Sequence, residues 1–491
     1  METAGGGGEI TECHLAAGGA TVDLNRRKRL LKQGFKIFIA SLGTWIMGTM
    51  FVWPSVLAQD LSSQSNTTIY GTLLQYSSTQ MDMAGSLVSL GSLPGAWISA
   101  PLVLRLGRRI SMIIAGIIAL IGWLGVALLP TFTGILVFRF VCGLAVGSLT
   151  ISVNAYGVEM ADLDVRGAMI MIVNIGVNCG QVVTALVGYD ARYYIVAFVD
   201  MLVPLLFILG LTSLPESPSL LLLKGREEEA RAVLVNLRGQ HANIDAELQS
   251  YREMNTTGST WRGLLHPDII KSILVTSVLF ILMYFTGYMV INANASRIFA
   301  DSGSTIDEKL CTIIILLVQV CGGASSFFLL DRIGRKKTLI ISFCIMCISL
   351  TTLAIYEGVI QDSAGDVTDA VTYATGGYLE EGGLEEGNTS RPYGWIPLVC
   401  LMVSQAGVAM GVNPIPYILS NEYFPTWIRA QAASVPFSVA TLASFASLQL
   451  YTPMRNGLTQ PGLYGFYAAV CALGVPFTVF FVRETMGEKV G

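Results

Sequence analysis

The chain has 491 residues, of which 53% are hydrophobic and only 13% are charged, and its formal net charge is −4. A soluble globular protein has about 25% charged residues, whereas the mean hydropathy of this chain is +0.60. This composition excludes a soluble enzyme, a nucleic-acid-binding protein and a disordered scaffold. It predicts a protein whose partner is the lipid bilayer, and the net charge is too small to indicate a polyanionic ligand.

Twelve apolar segments are long enough to cross a membrane, which takes roughly 20 residues in a helix. In chain order they are 34–57, 82–104, 110–129, 133–155, 168–190, 192–213, 269–293, 308–330, 338–357, 394–420, 431–454 and 461–482. They predict an all-α integral membrane protein. An even number of spans places both termini on one side of the membrane.

The charges around the first span predict which side that is. Residues 1–33 lack the short basic-then-apolar pattern of a cleaved signal peptide, so we expect the first span to stay in the protein. Six basic residues lie before or at its start: Arg26, Arg27, Lys28, Arg29, Lys32 and Lys36. Cytoplasmic segments carry an excess of Lys and Arg, and most other basic residues of the chain fall on the same side. Both termini are therefore predicted to be cytoplasmic.

Two hydrophilic insertions divide the spans into two groups of six. The predicted order is a tail (1–33), an N-terminal six-helix bundle (34–213), a cytoplasmic linker with short helices (214–268), a C-terminal six-helix bundle (269–483) and a short cytoplasmic tail (484–491). An acidic, flexible extracellular loop (358–393) interrupts the second bundle. Asn66 and Asn388 begin glycosylation sequons in predicted extracellular loops.

Three cytoplasmic landmarks recur in the two halves, which indicates an internal duplication. They are Arg105-Leu106-Gly107-Arg108-Arg109 with Arg332-Ile333-Gly334-Arg335-Lys336, Glu159 before Arg166 with Glu422 before Arg429, and Pro215-Glu216-Ser217 with Arg483-Glu484-Thr485. The acidic loop explains why the pairs are not all equally far apart along the chain. The repeat predicts two pseudo-symmetric bundles related by an axis along the membrane normal, an arrangement of rocker-type secondary transporters.

Charged residues in these landmarks are candidates for a cytoplasmic latch that joins the two halves when the opposite side is open and breaks when the cytoplasmic side opens. They are Arg105, Arg108, Arg109, Glu159, Arg166, Glu216, Arg332, Arg335, Glu422, Arg429 and Glu484. Gly107 and Gly334 are expected to permit tight turns between helices. The alternative is that the arginines only satisfy the positive-inside rule.

With these landmarks, the chain from about residue 30 resembles the sugar porter family of the major facilitator superfamily. The insect facilitated trehalose transporters and the animal facilitative glucose transporters are the members that it is most similar to. The resemblance also rests on Pro218, on residues 224–231 (Lys-Gly-Arg-Glu-Glu-Glu-Ala-Arg) and on Pro414-Ile415-Pro416. It implies a central cavity between the two bundles that opens alternately to each side.

Polar side chains inside spans are expensive in lipid and are therefore candidates for the cavity lining. We select Asn174, Gln181, Tyr284, Tyr288, Gln319, Asn413 and Tyr417. Compared with the family pattern, Met283 and Tyr284 replace two sugar-binding glutamines, Met289 replaces an asparagine, and Ala293 and Asn294 replace the tyrosine pair of the outer gate. Each lost hydrogen bond is worth about 0.5–1.5 kcal/mol. Hexose binding should therefore be weak unless the tyrosines and Asn413 compensate.

Two driving forces for transport are considered, facilitated diffusion and proton coupling. Proton-coupled members of the family carry an aspartate in the first span where this chain has Met50, which favours facilitated diffusion. Asp200, inside the sixth span, is either a proton or substrate site or a residue paired with a polar neighbour.

The sequence therefore predicts a facilitative transporter of a small neutral solute, a trehalose or hexose-type sugar, in the plasma membrane. The alternatives are a proton-coupled or non-sugar solute carrier, or a non-transporting sugar sensor. We find no catalytic motif, nucleotide-binding loop or metal-ligand spacing, and expect no enzyme activity, no cofactor and no obligate protein partner.

Overall fold

The computed structural model describes residues 8–63, 67–160, 166–238, 244–256, 264–302, 306–374, 394–425 and 428–485. Its helices before the linker are α1 (Gly8–Ser63), α2 (Ser78–Arg105), α3 (Arg108–Leu128), α4 (Phe132–Met160), α5 (Arg166–Val187), α6 (Tyr193–Asp200) and α7 (Leu202–Thr212). The linker holds α8 (Pro218–Leu223), α9 (Glu227–Arg238) and α10 (Ile244–Thr256).

The helices after the linker are α11 (Pro267–Phe285), α12 (Tyr288–Ala293), α13 (Ala295–Ser302), α14 (Glu308–Ile333), α15 (Arg335–Ala374), α16 (Ile396–Gly407), α17 (Pro414–Glu422), α18 (Arg429–Gln449) and α19 (Tyr451–Phe481). A π-helical turn, Val408–Val412, joins α16 to α17. Among the described residues, 11 helical stretches are long and apolar enough to cross a membrane, and α5 contributes a shorter one, Ile175–Val187.

These helices match the twelve predicted spans, with differences inside and at the ends of some of them. The sixth, seventh and tenth spans are each built from more than one helical segment. The first part of the predicted flexible loop 358–393 is helical, because α15 continues to Ala374; residues 375–393 lie outside the described part of the chain. In the linker, α8 and α9 are separated at Gly225, whose φ of +72° places it in the left-handed region.

Each half has its own apolar core. One cluster of buried residues belongs to helices α1–α7 and α9, and a second belongs to helices of the C-terminal half. In the first, Trp53 packs edge-on against Trp123 and Tyr193, with ring centroids 6.0 and 6.2 Å away. Small residues bring the helix backbones together, as is usual in membranes: a Cβ on Gly91 of α2 would collide with the carbonyl of Phe140 on α4.

The two ends of the helix bundle differ in how the halves meet. We call the end that carries Gly107 and Gly334 the motif end, and the opposite end the far end. The halves meet where α2 packs along α18, α1 contacts α12 and α13, and α5 packs along α14. The hydroxyl groups of Ser89 and Ser444 form a 2.8 Å hydrogen bond across the α2–α18 contact.

Candidate functional site

Two breaks in membrane-spanning helices create the candidate site. The seventh span ends its first segment at Phe285 and resumes at Tyr288, because Gly287 adopts a left-handed conformation with φ +81°. A Cβ there would lie 2.6 Å from the ring of Tyr467, so glycine is required on steric grounds as well. In the tenth span, Asn413 follows the π-helical turn and precedes the helix that begins at Pro414. Irregular backbone at membrane depth is tolerated where it lines a cavity or is covered by protein.

These breaks bring three of the predicted tyrosines together. The hydroxyl groups of Tyr284 and Tyr417 lie 3.1 Å apart. The ring centroid of Tyr288 is 5.7 Å from that of Tyr284, and Phe280 packs edge-on against Tyr417 at 4.9 Å. Met283, at the other replaced glutamine position, is fully buried in the apolar core. Of the two replacements, Tyr284 therefore supplies the polar group to the site.

Gln319, a predicted site residue, lies in a cluster of buried amides. Its Nε2 donates to Gln405 Oε1 at 2.6 Å and to Asn292 Oδ1 at 2.9 Å. Gln405 in turn donates to the backbone carbonyl of Tyr288 at 3.4 Å. The amide cluster is thus connected to the tyrosines through the segment that follows the break at Gly287. Asn292 and Gln405 were not selected from the sequence, although a polar residue inside an apolar span was the available signal.

The N-terminal half reaches this region through α5. Asn178 donates through Nδ2 to the backbone carbonyl of Gln319 at 3.5 Å, so it marks the contact between the halves, and it was not selected from the sequence. Gln181 is buried, and its Oε1 has no hydrogen-bond partner among the described residues. The side chain of Asn174 lies outside the described part of the chain. Asn413 is half-buried at the start of α17.

Asp200 lies apart from this cluster, inside the N-terminal half. Both of its carboxylate oxygens accept from Thr184 Oγ1, at 2.9 and 3.0 Å. The fully buried Arg139 interacts with it electrostatically and donates to the backbone carbonyls of Met50 and Ala84, both at 2.7 Å. Asp200 therefore has a polar neighbour, a threonine.

At the motif end of the N-terminal half, four of the predicted latch residues lie close together: Arg108, Arg109, Glu159 and Glu216. Arg108 Nη2 lies 2.8 Å from Glu159 Oε1. Glu216 Oε1 accepts from the backbone N–H of Arg109 at 3.2 Å, at the start of α3, where a helix terminus favours an anion. Ser219 also donates to Glu159, at 3.0 Å.

The C-terminal half repeats this arrangement. Arg335 Nη2 lies 3.2 Å from Glu422 Oε1. The carboxylate of Glu484 accepts from the backbone N–H groups of Arg335 and Lys336, at 2.9 and 3.1 Å, at the start of α15. The predicted sequence repeat is therefore also a repeat of side-chain contacts.

Gly107 and Gly334 make both arrangements possible. Their φ angles are +108° and +94°, in the region that favours glycine. A Cβ would lie 2.7 Å from the carboxyl carbon of Glu216 at the first position and 2.6 Å from Glu484 Oε2 at the second.

The described ion pairs of the latch candidates join groups within one half. Arg105 and Arg332 are exposed, and the side chains of Arg166 and Arg429 lie outside the described part of the chain, as do both predicted glycosylation sites, Asn66 and Asn388. A latch between the halves therefore stays a prediction. Among the described residues, no group of three His, Cys, Asp or Glu side chains could hold a metal ion.

The sequence profile of the family described as "Sugar (and other) transporter" matches residues 36–490. The chain belongs to this family. The facilitated trehalose transporter Tret1 of Apis mellifera ligustica is 30% identical over 419 residues, which cover 84% of this chain and 78% of that protein. The protein of the same name from Polypedilum vanderplanki is 27% identical over 456 residues, covering 92% of this chain and 85% of that protein.

This sugar transporter family member also has solved structural neighbours. The xylose transporter XylE from E. coli, in a partially occluded inward open conformation, matches with a TM-score of 0.73 over 93% of this chain and 100% of that chain, at 20% identity. The fold is that of the major facilitator superfamily, with twelve membrane-spanning helices in two halves, and the predicted family and fold class are confirmed. The protein is a multi-pass membrane protein of a transporter family rather than an enzyme family.

Proposed function

We propose that the protein is a facilitative carrier that moves a trehalose or hexose-type sugar across the plasma membrane by alternating access. The observation that carries this proposal is the tyrosine cluster at the breaks of the seventh and tenth spans. In a chain of the sugar transporter family, the cluster belongs to spans in which the resemblance implies sugar-binding residues, and Tyr284 occupies the position of a sugar-binding glutamine. Relatives named as facilitated trehalose transporters support the substrate class.

The chemistry of the cluster suits a sugar. Ligand sites combine aromatic surface with a few polar groups that fix orientation, and Tyr284, Tyr288 and Tyr417 offer both rings and hydroxyl groups. A sugar hydroxyl can replace one partner in the Tyr284–Tyr417 hydrogen bond. The amides of Gln319, Gln181 and Asn413 extend the polar surface, and Asn174 is proposed with them from its sequence position.

The contacts between the halves support alternating access. Buried serine pairs join the halves towards the far end, while the Arg108–Glu159 and Arg335–Glu422 pairs at the motif end each stay within one half. This is the arrangement expected of a carrier that is closed at the far end. Basic residues at the motif end support its placement in the cytoplasm, with both termini on that side. The motif-end charges are proposed to latch the halves together in the opposite state.

The first span favours facilitated diffusion over proton coupling. Met50, where proton-coupled members of the family carry an aspartate, offers only its backbone carbonyl to Arg139. Arg139 is held there by two backbone carbonyls and by the ring of Trp53. Asp200 is hydrogen-bonded to Thr184 inside the N-terminal half, apart from the tyrosine cluster.

Uptake by reconstituted vesicles tests this proposal. Trehalose, glucose and a polyol are compared, each with and without a proton gradient. Saturable sugar uptake that does not depend on the gradient is the expected result. Gradient-dependent uptake would favour the proton-coupled alternative, and uptake of the polyol alone would favour a non-sugar carrier. Sugar binding without flux, from folded protein, would favour a sensor.

A further inference from the structure

Asp82 and Arg297 form a buried ion pair between the two halves. Asp82 lies near the start of α2, and its side chain is 1% exposed; Arg297 lies on α13 and is 20% exposed. Arg297 Nη1 is 3.0 Å from Asp82 Oδ1. The other carboxylate oxygen, Oδ2, accepts from the backbone N–H of Thr452 at the start of α19, at 3.1 Å. One aspartate of the N-terminal half is therefore bound by two elements of the C-terminal half.

The arginine is held in place by its own half. Arg297 Nη1 also donates to Asn294 Oδ1 at 3.1 Å, and its guanidinium group lies over the ring of Tyr451 at 5.3 Å from the centroid. These contacts can persist when the halves move apart. Asp82, in contrast, loses both described partners, Arg297 and the N–H of Thr452, in that movement. Removing one partner from a buried hydrogen-bonded charge pair is costly, since the other charge is left uncompensated.

Other far-end contacts between the halves are neutral or exposed. Ser86 donates to Gln449 Oε1 at 2.8 Å, one helical turn deeper than Asp82. At the rim, exposed Tyr189 donates to Asp307 at 3.3 Å. Exposed polar contacts contribute little to stability. Ser55 and Ser296 are buried and joined by hydrogen bonds between neutral groups. Among these far-end contacts, the Asp82–Arg297 pair is the buried one with a charge on both partners, and loss of one partner from such a pair is costly.

We propose that Asp82 and Arg297 are the outer gate of this carrier, an ionic gate in place of the aromatic pair that the family pattern places at Ala293 and Asn294. Ala293 is buried close to α2, and a Cβ on Gly85 would lie 3.8 Å from its Cβ. Without aromatic rings at these positions, the far end is closed by the neighbouring Asp82–Arg297 ion pair. The proposal rests on the alternating access and orientation proposed above.

The test measures how often the far end opens. Ser86 is fully buried beneath the gate, so Ser86→Cys reports opening by its reaction with a membrane-impermeant maleimide added outside intact cells. The parent without Ser86→Cys gives the background labelling. Neutralising the gate with Asp82→Asn, or with Arg297→Gln, should raise the labelling rate of the reporter about tenfold. The exchanged pair Asp82→Arg with Arg297→Asp should bring the rate back towards that of the reporter alone.

The chain offers a matched control on the same side. Asp60 is 5% exposed, lies 2.8 Å from Arg192 and also accepts from a backbone N–H, that of Tyr193, but all three belong to the N-terminal half. Asp60→Asn should leave the labelling rate unchanged. An unchanged rate in both Asp82→Asn and Arg297→Gln, or an equal rise in Asp60→Asn, would overturn the proposal. Labelling requires no sugar, so a carrier whose substrate is wrongly assigned would still show the gate.

Discussion

The hydroxyl groups of Tyr284 and Tyr417 lie 3.1 Å apart, although one residue belongs to the seventh span and the other to the tenth. Each can act as donor or acceptor to the other, so the pair can be opened by a ligand that offers hydroxyl groups of its own. The hydrogen bond thus connects two membrane spans, each of which contains a break, at the proposed sugar site.

Removal of one of these hydroxyl groups should weaken sugar binding without unfolding the protein. A hydrogen bond contributes about 0.5–1.5 kcal/mol net, so Tyr284→Phe or Tyr417→Phe should raise the KM of uptake roughly threefold to tenfold. Tyr467→Phe is the control, because the buried hydroxyl of Tyr467 has no hydrogen-bond partner among the described residues. Equal KM values for all three variants would argue against the tyrosine site.

Gln405 should contribute more to stability than Ser404, its neighbour in sequence. Gln405→Leu removes the acceptor of a 2.6 Å hydrogen bond from Gln319 in a fully buried position. An unsatisfied buried donor costs about 1–3 kcal/mol, and thermal unfolding in detergent should show the loss. Ser404→Ala is the matched control, since the buried Ser404 Oγ has no hydrogen-bond partner among the described residues. A loss of stability as large in Ser404→Ala would contradict the proposed importance of the amides.

Alanine substitutions at three glycines should distinguish the stability cost of backbone strain from that of a steric collision. Gly225 has φ +72° with open space around it, so Gly225→Ala should cost about 1 kcal/mol from strain alone. Gly107→Ala adds a collision with Glu216, and Gly334→Ala one with Glu484; both should be destabilised more than Gly225→Ala. Thermal unfolding in detergent provides the comparison. Gly457→Ala, in a helix with open space, should be neutral or slightly stabilising.

Asp200→Asn should reduce the amount of folded protein rather than alter a pH response. Asparagine keeps one acceptor for Thr184 Oγ1 but places an amide N–H group where both carboxylate oxygens now accept, and an unsatisfied buried donor costs about 1–3 kcal/mol. Asp190→Asn, at an exposed position near the end of the fifth span, should be neutral. Size-exclusion yield and uptake across a pH series provide the measurements. A stable Asp200→Asn protein that has lost a pH dependence present in the parent would instead identify Asp200 as a proton site.

Hydropathy predicted the spans closely because lipid imposes both length and apolarity on a helix. The predicted segment 110–129, for example, is α3 at Arg108–Leu128. The motif-end turns were equally readable, since Gly107 and Gly334 each lie between basic residues at the end of a span. At these two positions, the sequence repeat coincides with a backbone conformation that favours glycine.

Breaks inside the spans could not be located in the same way. Gly287 is one of 51 glycines, and its left-handed conformation is accommodated by the ring of Tyr467 from a distant helix. The partners of Gln319 depend likewise on how α12, α14 and α16 meet, so Asn292 and Gln405 could not be chosen over other polar residues. The contact of Arg297 with Asp82 depends likewise on the packing of the two halves.

Each half of the carrier ends in its own clamp at the motif end. Glu216, just after the sixth span, binds the start of α3, and Glu484, just after the twelfth, binds the start of α15. A cut in the linker after α10 would leave both clamps intact, one on each fragment. Because each clamp stays within one half, we expect two polypeptides cut there and expressed together to reassemble into the carrier.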